Sequence, residues 1–400
     1  MKNVLVMTST FPRWRNDSTP SFVFALSNSL AENYQIVVLA PHAYRAAEKE
    51  RMGNLKVYRF RYFFPKYQKM AYGAGMLPNI KKSFLAKIQL PLFLFSQFRK
   101  VKDLIEKEKI SLIHAHWIIP QGLMGILLKK KYKLPLIVTI HGSDLFAFKN
   151  KFFRRIQKIV VENADMVTIN SRTAEKELLS RFPEIKNKVT LIPMGIDTTI
   201  FRPKKVKNKF KEYKNDKIIL FVGRLNEQKG AEYLIKAMPH VVSQVANAKL
   251  LVIGEGNYGI YLEKLANQLR LGNSIKFLGP KNQHEVADYC NLAEVLVLPS
   301  VTTKLGTEAF GIVLIEAMAC GTCVIGSSSG GIKDIIKDNV NGLIFQERNS
   351  KELADKITRM LNDDKLRKKL SKNGLAYARQ NYDWRIISKK FLKLYEQLLK

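Results

Sequence analysis

Two glutamates separated by seven residues stand out among the side chains of this chain that could do chemistry. They are Glu308 and Glu316, in the segment Gly306–Gly321 (GTEAFGIVLIEAMACG). If a helix begins near Phe310, Glu308 lies just ahead of it and Glu316 lies about two turns along it. Glu316 could then accept hydrogen bonds from ribose hydroxyls. Taken alone, an acidic residue ahead of a helix is more often an ordinary cap or a partner of the helix dipole.

The start of that helix is a candidate anion site. Gly311 lets the backbone come close to a ligand. The first amides of a helix have no intrahelical acceptor, so they can bind a phosphate. The amides concerned are those of Phe310, Gly311, Ile312 and Val313. A phosphate-bearing ligand is therefore expected here.

Two cations follow a predicted strand in the segment Phe221–Gly230 (FVGRLNEQKG). Directly after Gly223, Arg224 could make a forked contact with a diphosphate, and Lys229 could add a point charge. In a chain with 67 basic residues, two more on a loop mean little by themselves. Their position at the carboxyl end of a strand gives them their weight.

A glycine-rich turn, Gly254–Gly259 (GEGNYG), matches the dinucleotide-binding pattern G-x-G-x-x-G. The opening βα unit of the chain lacks this pattern, and no Asp or Glu ends a second strand about 20 residues further on. We therefore predict a tight phosphate-facing turn at Gly254, Glu255 and Gly256, and not a dehydrogenase.

Histidines follow two predicted strands of the first half. His141 emerges after the run Val138–Ile140, and Asp144 could orient its loop. A lone histidine is more often structural than catalytic, but a strand end that faces a cleft is a common catalytic position, so both roles stay open. His114 and His116 also lie at a strand end, where alternation predicts that one of them is a packed core residue.

The composition predicts a protein that binds anionic partners. The formal net charge is +33, which favours anionic partners such as nucleotides, nucleic acid or acidic lipid surfaces. Residues 51–100 carry eleven Lys or Arg, no Asp or Glu, and several aromatics. Two interpretations of Arg51–Lys100 stay open: a solvated basic face, or contact with an anionic membrane surface. The sequence contains no metal-ligand cluster, no G-x-S-x-G motif and no G-x-x-x-x-G-K-[ST] loop.

Short apolar runs alternate with longer segments of helical period, a pattern typical of an α/β protein with parallel sheets. In the first half we predict strands at Val4–Thr8, Ile36–Leu39, Leu55–Phe60, Leu112–Ala115, Leu136–Ile140, Met166–Ile169 and Val189–Ile192. In the second half we predict them at Lys217–Val222, Lys249–Ile253, Ser274–Leu278, Val295–Leu298, Thr322–Ile325 and Gly342–Phe345. The chain should end in helices at Lys351–Asn362, Lys365–Asn381 and Trp384–Leu399.

These elements predict two Rossmann-like domains, residues 1–195 and 196–381, followed by a C-terminal helical segment, residues 382–400. Ligands of such sheets bind at the carboxyl ends of the strands, so a cleft shared by the two domains is the expected site. The start of the chain does not look like a secretion signal, and no apolar run approaches the roughly 20 residues of a membrane span. We expect a cytoplasmic protein, at most peripheral at the inner face of the cell membrane.

Taken together, the motifs resemble those of the GT-B-fold glycosyltransferases, specifically the retaining group with an E-x7-E signature (family 4-like, "glycosyl transferases group 1"). The resemblance covers nearly the whole chain. It rests on Thr8–Pro12 (TSTFP), His141-Gly142, Ile192–Asp197 (IPMGID), Gly223-Arg224, Lys229-Gly230, Gly254–Gly256 and Glu308–Glu316. It implies two Rossmann-like domains that face a central cleft, with the last helix crossing back to the first domain.

The resemblance implies roles for the residues already named. Arg224 and Lys229 would bind the diphosphate of a nucleotide-sugar donor, and Glu316 its ribose. Glu308 and the amides of Phe310 to Val313 would hold the donor sugar and phosphate. His141 would contact the sugar hydroxyls or support the developing oxocarbenium ion. No metal and no cofactor would be needed, since the cations and the helix terminus neutralise the leaving diphosphate.

The implied reaction is transfer of a hexose-type sugar from a GDP- or UDP-sugar, with retention of configuration, to a glycan or lipid-linked acceptor. The chain departs from many relatives in two places. The first loop reads RWRNDSTPS from Arg13 to Ser21 in place of a Gly-Gly pair, so it is a candidate for the acceptor side. Cys323 stands where relatives commonly have proline, which favours a structural role for that thiol.

Two other functions fit parts of the pattern, and an enzyme of the same superfamily that is similar to glycogen synthase or sucrose synthase is a third possibility. A nucleotide-sugar 2-epimerase shares the two-domain architecture, but the motifs beginning at Gly223-Arg224 argue against it. A nucleic-acid-binding protein would explain the net charge, but the chain has no recognisable nucleic-acid module and its basic residues lie in both halves. We expect no nucleic-acid partner.

Overall fold

A computed structural model describes the whole chain except Asn16, Ser18, Pro20, Ala74, residues 147–149 and Leu305. The chain forms two compact units. The first comprises Met1–Asn170, Ala174–Pro193 and Trp384–Lys400, and the second comprises Ser171–Thr173 and Met194–Asp383. The chain thus leaves the first unit, builds the second, and returns to the first with its last helix.

The first unit is built on an eight-stranded sheet in the order β3-β4-β2-β1-β5-β6-β7-β8. Its strands are β1 Asn3–Met7, β2 Gln35–Pro41, β3 Lys49–Met52, β4 Leu55–Phe60, β5 Ile110–His116, β6 Leu136–Ile140, β7 Met166–Ile169 and β8 Val189–Leu191. All neighbouring pairs are parallel except the pair of β3 and β4. The central strands are apolar on both faces because helices cover both sides of a parallel sheet.

The helices of the first unit include one that is much longer than the others. They are α1 Phe22–Leu30, α2 Met76–Lys82, α3 Phe84–Lys107, α4 Leu123–Tyr132, α5 Ser143–Phe146, α6 Lys151–Asn163, α7 Arg172–Arg181 (whose first residues belong to the second unit) and the final helix of the chain, Trp384–Leu398. That final helix packs against α1, and the ring of its Tyr395 lies 5.3 Å from the ring of Tyr34, in the turn between α1 and β2.

The second unit has a six-stranded, all-parallel sheet in the order β11-β10-β9-β12-β13-β14. Its strands are β9 Lys217–Val222, β10 Ala248–Ile253, β11 Ile275–Gly279, β12 Val295–Leu298, β13 Cys323–Ser327 and β14 Leu343–Phe345. Its helices are α8 Ala231–Gln244, α9 Gly259–Gln268, α10 Gln283–Leu292, α11 Ile312–Ala319, α12 Ile332–Ile335, α13 Ser350–Asn362 and α14 Asp364–Tyr382, which leaves Trp384–Leu398 as α15. The unit has a hydrophobic core of its own.

The predicted strands all exist, and their ends agree with the structure to within two residues. β3 was not predicted, since its sequence Lys-Glu-Arg-Met offers no apolar alternation. It is an antiparallel edge strand, held to β4 by backbone pairing and by the buried guanidinium of Arg59 against Glu50. Among the described residues, no helix combines the length and the apolarity needed to cross a bilayer.

In each sheet the strand order reverses direction at one point, where successive strands begin to add on the opposite side. Ligands of such sheets bind at this point. In the second unit β9 pairs with β10 on one side and with β12 on the other. The loops that follow β9 and β12 therefore diverge and leave a crevice at the carboxyl edge of the sheet. In the first unit the corresponding pair is β1 and β5.

Candidate active site

The crevice of the second unit contains a buried ion pair between the loops that follow β9 and β12. Nζ of Lys229 lies 2.6 Å from Oε2 of Glu308. The same carboxylate oxygen accepts a second hydrogen bond from Oγ of Ser300, at 2.7 Å. The side chains of Lys229 and Glu308 are only 19% and 10% exposed, so water screens this pair weakly.

Burial alone would raise the pKa of Glu308, but its neighbours reverse the shift. The charge and hydrogen bond of Lys229, the hydroxyl of Ser300 and the charge of Arg224 together hold this pKa below its ordinary value. Glu308 is therefore ionised at neutral pH. Arg224 is exposed, and its charge reaches the same carboxylate. The structure thus brings together three of the residues that the sequence singled out.

The loop that carries Lys229 is positioned by its own backbone. The side chain of Asn226 accepts a hydrogen bond from the Lys229 amide at 3.1 Å and closes a short turn. Gly230 follows with φ +64°, and a Cβ on it would lie 2.0 Å from the carbonyl oxygen of Pro299. This contact seats the loop after β9 directly on the end of β12, which places Lys229 beside Glu308.

The glycine-rich turn after β10 packs on the same loop. Gly254 has φ +138°, and a Cβ there would lie 1.9 Å from the carbonyl oxygen of Gly223. The Leu225 amide donates to the carbonyl of Glu255 at 2.9 Å, while the Glu255 side chain is exposed. The predicted tight turn exists and lies against the Arg224 loop.

The helix of the two glutamates begins later than the sequence predicted. α11 starts at Ile312 and not near Phe310, because Gly311 adopts the left-handed conformation (φ +89°) as its N-cap. The amides of Ile312 and Val313 belong to its first turn, whereas Phe310, which is buried, lies before the helix. The carbonyl of Glu308 accepts a hydrogen bond from the Gly331 amide at 2.9 Å, which fixes the approach to the helix.

Glu316 lies within α11 and is partly exposed. Its carboxyl group is buried, no cation among the described residues offsets that burial, and its pKa is raised to about 7. The two glutamates therefore differ in charge. Glu308 is a carboxylate that Lys229 and Ser300 stabilise, whereas Glu316 exchanges a proton near neutral pH. A donor of hydrogen bonds at Glu316 would favour its charged form.

In the first unit, His141 belongs to a buried row of imidazoles. Its Nε2 lies 2.9 Å from Nδ1 of His116, so one ring donates to the other. His116 stacks on His114 with ring centroids 4.4 Å apart. His114 in turn bonds to the hydroxyls of Thr139 (2.6 Å) and Tyr395 (2.7 Å), the latter on α15.

Burial lowers the pKa of His141 to about 3 and that of His114 to about 3, and burial also holds the pKa of His116 well below its ordinary value. All three imidazoles are neutral at neutral pH. Alternation predicted that one of His114 and His116 is a core residue, and both are fully buried because residues i and i+2 of a strand point to the same face.

Asp144 orients the loop of His141, as the sequence suggested. Its carboxylate accepts hydrogen bonds from the amides of Ile118 (2.8 Å) and His141 (3.2 Å). Sequence reasoning missed Ser300 and the role of His116 as the partner of His141. Both could have been found, since Ser300 lies two residues after the end of β12 and His116 ends β5, the neighbour of β6.

Three further features considered in the sequence are the first loop, the cysteines and possible metal ligands. Of the first loop, Asn16, Ser18 and Pro20 lie outside the described residues, while Arg13 and Asp17 form a salt bridge at 2.7 Å. Cys320 and Cys323 are buried free thiols. Within the part of the chain that the structure describes, no group of three or more His, Cys, Asp or Glu side chains could hold a metal ion.

Two family models match adjoining parts of the chain. "Glycosyl transferases group 1" matches residues 203–376, and "Glycosyltransferase Family 4" matches residues 20–200. An uncharacterized glycosyltransferase of Methanocaldococcus jannaschii is 31% identical over 336 residues, which are 84% of this chain and 88% of that protein. A D-inositol 3-phosphate glycosyltransferase of Corynebacterium jeikeium is 26% identical over 340 residues, 78% of this chain and 79% of that protein.

Two solved structures share the fold over the full length. Sucrose-phosphate synthase from Thermosynechococcus elongatus has a TM-score of 0.83 and 24% identity, covering 100% of this chain and 99% of that one. HepE of Anabaena, in complex with UDP-glucose, has a TM-score of 0.77 and 18% identity, covering 99% of this chain and 100% of that one. The fold is therefore GT-B.

Proposed function

This chain belongs to the group 1 glycosyltransferases, and on that premise we propose that it moves a hexose-type sugar from a GDP- or UDP-sugar to a glycan or lipid-linked acceptor. We propose further that the transfer retains the anomeric configuration and needs no metal ion. Membership in this family favours glycosyl transfer over the two alternative functions, that of a 2-epimerase and that of a nucleic-acid-binding protein.

The observation that carries the proposal is the Lys229–Glu308 pair in the crevice between β9 and β12. A diphosphate at this position would meet Lys229, Arg224 and the first amides of α11. These groups stabilise the negative charge that develops on the leaving diphosphate as the bond from the anomeric carbon to its phosphate oxygen breaks. Fixed cations and amides could do this work in place of a metal ion.

We propose a front-face reaction. The acceptor hydroxyl attacks the anomeric carbon on the side from which the diphosphate leaves, and a phosphate oxygen of the leaving group takes the hydroxyl proton. A double displacement would need a free carboxylate as nucleophile. Oε2 of Glu308 already accepts two hydrogen bonds, and its lowered pKa marks it as a weak base. We therefore assign Glu308 to holding the donor sugar by hydrogen bonding and charge.

For His141 we propose a contact with the hydroxyls of the donor sugar or with the developing oxocarbenium ion, as the family resemblance implies. Burial lowers the pKa of His141 to about 3, so the ring is neutral at neutral pH. A neutral imidazole can accept a hydrogen bond from a hydroxyl, and it does not repel positive charge at the anomeric carbon.

We also propose that the protein works at an anionic membrane surface, which it meets through the basic and aromatic segment Arg51–Lys100. A lipid-linked acceptor would then lie within reach of the enzyme. The described part of this segment carries exposed aromatic side chains, among them Phe64 and Phe84.

Thermal unfolding of the purified protein with GDP, UDP and ADP and their sugar conjugates tests the donor site. A nucleotide at a hundredfold excess over its Kd should stabilise the protein by about 2.7 kcal/mol. The shift should be unchanged by a chelator, lost in Lys229→Ala and Glu316→Ala, and kept in Lys264→Ala, which removes an exposed lysine of α9. No response to any nucleotide, or a response that a chelator abolishes, would contradict the proposal.

A further inference from the structure

The outward face of α3 is largely apolar in its first half, from Phe84 to Phe95, whereas the exposed residues of its last turns are charged. Seven exposed residues of this helix each lie three or four positions from another member of the set, so they form one continuous stripe. They are Phe84, Lys87, Ile88, Pro91, Leu92, Phe95 and Arg99. Phe84 is 76% exposed and Phe95 64%, and Ile88 and Leu92 are 48% and 42% exposed. From Phe84 to Phe95 the stripe runs about 16 Å at 1.5 Å per residue.

The inward face of the same helix is partly polar. Gln89 and Gln97 are fully buried. Gln89 bonds to the backbone of Tyr67 and Lys69, but the amide of Gln97 has no hydrogen-bond partner among the described residues. A helix that only covers a core turns its polar residues outward. Here two glutamines point inward and five apolar side chains point outward, which indicates that the outward face has an apolar environment of its own.

Positive charge borders the stripe. Lys87 and Arg99 lie within it, and α2 ends in Lys81 and Lys82 just before it. On α4, the ammonium group of Lys131 lies 5.9 Å from the ring centre of Phe98. No Asp or Glu occurs from residue 51 to residue 100. An apolar stripe with a basic border is the pattern of a helix that lies in the interface of an anionic bilayer.

We propose that α3 lies flat on an anionic lipid bilayer, with Phe84, Ile88, Leu92 and Phe95 inserted at the boundary between head groups and acyl chains. The surrounding lysines and arginines contact the lipid phosphates. The inference deepens the proposed function, because it assigns the membrane contact of the enzyme to one face of one helix. A membrane contact here also favours the lipid-linked acceptor over a free glycan.

The test is flotation of the full chain with vesicles of phosphatidylglycerol and phosphatidylcholine, compared with vesicles of phosphatidylcholine alone. The protein should float with the anionic vesicles. The double variant F84S/F95S should weaken this binding at least tenfold, because each aromatic side chain contributes on the order of a tenfold factor in partitioning. The variant K82Q/R99Q should lose the preference for anionic lipid.

Val340→Ser is the matched control, since Val340 is a half-exposed apolar residue of the second unit. It should bind vesicles like the parent protein. Equal flotation of F84S/F95S and the parent, or no flotation of the parent, would overturn the proposal. So would a dimer of the parent that ignores vesicles and dissociates in F84S/F95S, because α3 would then bind a second copy of the chain.

Thermal shift with nucleotides, measured on the same proteins, separates this inference from the proposed function. All of these variants lie outside the donor site and should keep the nucleotide response of the parent. Vesicle binding without a nucleotide response would contradict the donor proposal and leave the membrane face intact. A nucleotide response without vesicle binding would contradict the membrane proposal and leave the donor proposal intact.

Discussion

At the scale of single residues, the two glutamates show how neighbours decide what a carboxyl group can do. Glu308 has Lys229, Ser300 and the charge of Arg224 around it, so it stays charged in spite of its burial. Burial raises the pKa of Glu316 to about 7, because in the described part of the chain no cation offsets it. The sequence identified both residues, but the opposite pKa shifts depend on contacts that only the fold creates.

Glu316 should make nucleotide binding depend on pH. Ribose hydroxyls that donate to its carboxylate favour the ionised form, so binding should release a proton, and affinity should rise as the pH increases through about 7. Calorimetry in buffers of different ionisation enthalpy measures this proton. In Glu316→Gln the proton release should vanish and the affinity should be lower but nearly independent of pH. The same proton release in the variant would show that another group titrates.

Only those candidate residues that lie at strand ends or in recognisable motifs could be predicted from the sequence. Lys229 and Glu308 were expected at one site because the family resemblance assigns both to the nucleotide-sugar donor. Ser300 and His116 were not assigned a role at the site, because the signal that they share, a position at a strand end, does not show which side chain each one contacts. Their roles follow from distances of 2.7 Å to Glu308 and 2.9 Å to His141.

At the scale of elements, buried parallel strands are the part of this fold that a sequence predicts best. Their apolar runs are long and continuous because both faces are covered. β3 escapes this rule, since backbone pairing at an edge needs no apolar side chain. The start of α11 was misplaced because the left-handed conformation of Gly311 interrupts the segment just before the helix.

The contact of Gly230 with the end of β12 should be sensitive to one methyl group. In Gly230→Ala the new Cβ would clash with the Pro299 carbonyl, and an alanine is strained at the native φ of +64°. The loop of Lys229 therefore has to move. We expect a nucleotide affinity at least tenfold lower and a lower melting temperature.

Gly272→Ala is the control for that substitution. A Cβ at Gly272 has open space around it, and its φ is not in the left-handed region. It should leave nucleotide affinity and melting temperature nearly unchanged. Equal affinity of Gly230→Ala and the parent would mean that the position of this loop does not control the donor site.

At the scale of the whole molecule, the net charge of +33 predicts contacts that are unrelated to catalysis. Binding to a polyanion such as DNA should weaken steeply with salt, because it depends on counterion release. Nucleotide binding should persist at salt on the order of 1 M, where the Debye length is about 3 Å, since the side chain of Lys229 is only 19% exposed and a phosphate in contact with it would lie within that length. An equally steep salt dependence of both would assign nucleotide binding to surface charge.

The return of the chain to the first unit has a consequence for its biosynthesis. All elements of the second unit leave the ribosome before α15 does, and α15 supplies the Tyr395 hydroxyl that His114 requires. During translation, the second unit can finish folding while the first still exposes the surface that α15 will cover. The unit that is begun first is completed last, so a ribosome that stalls before Trp384 leaves an unfinished first unit attached to a finished second one.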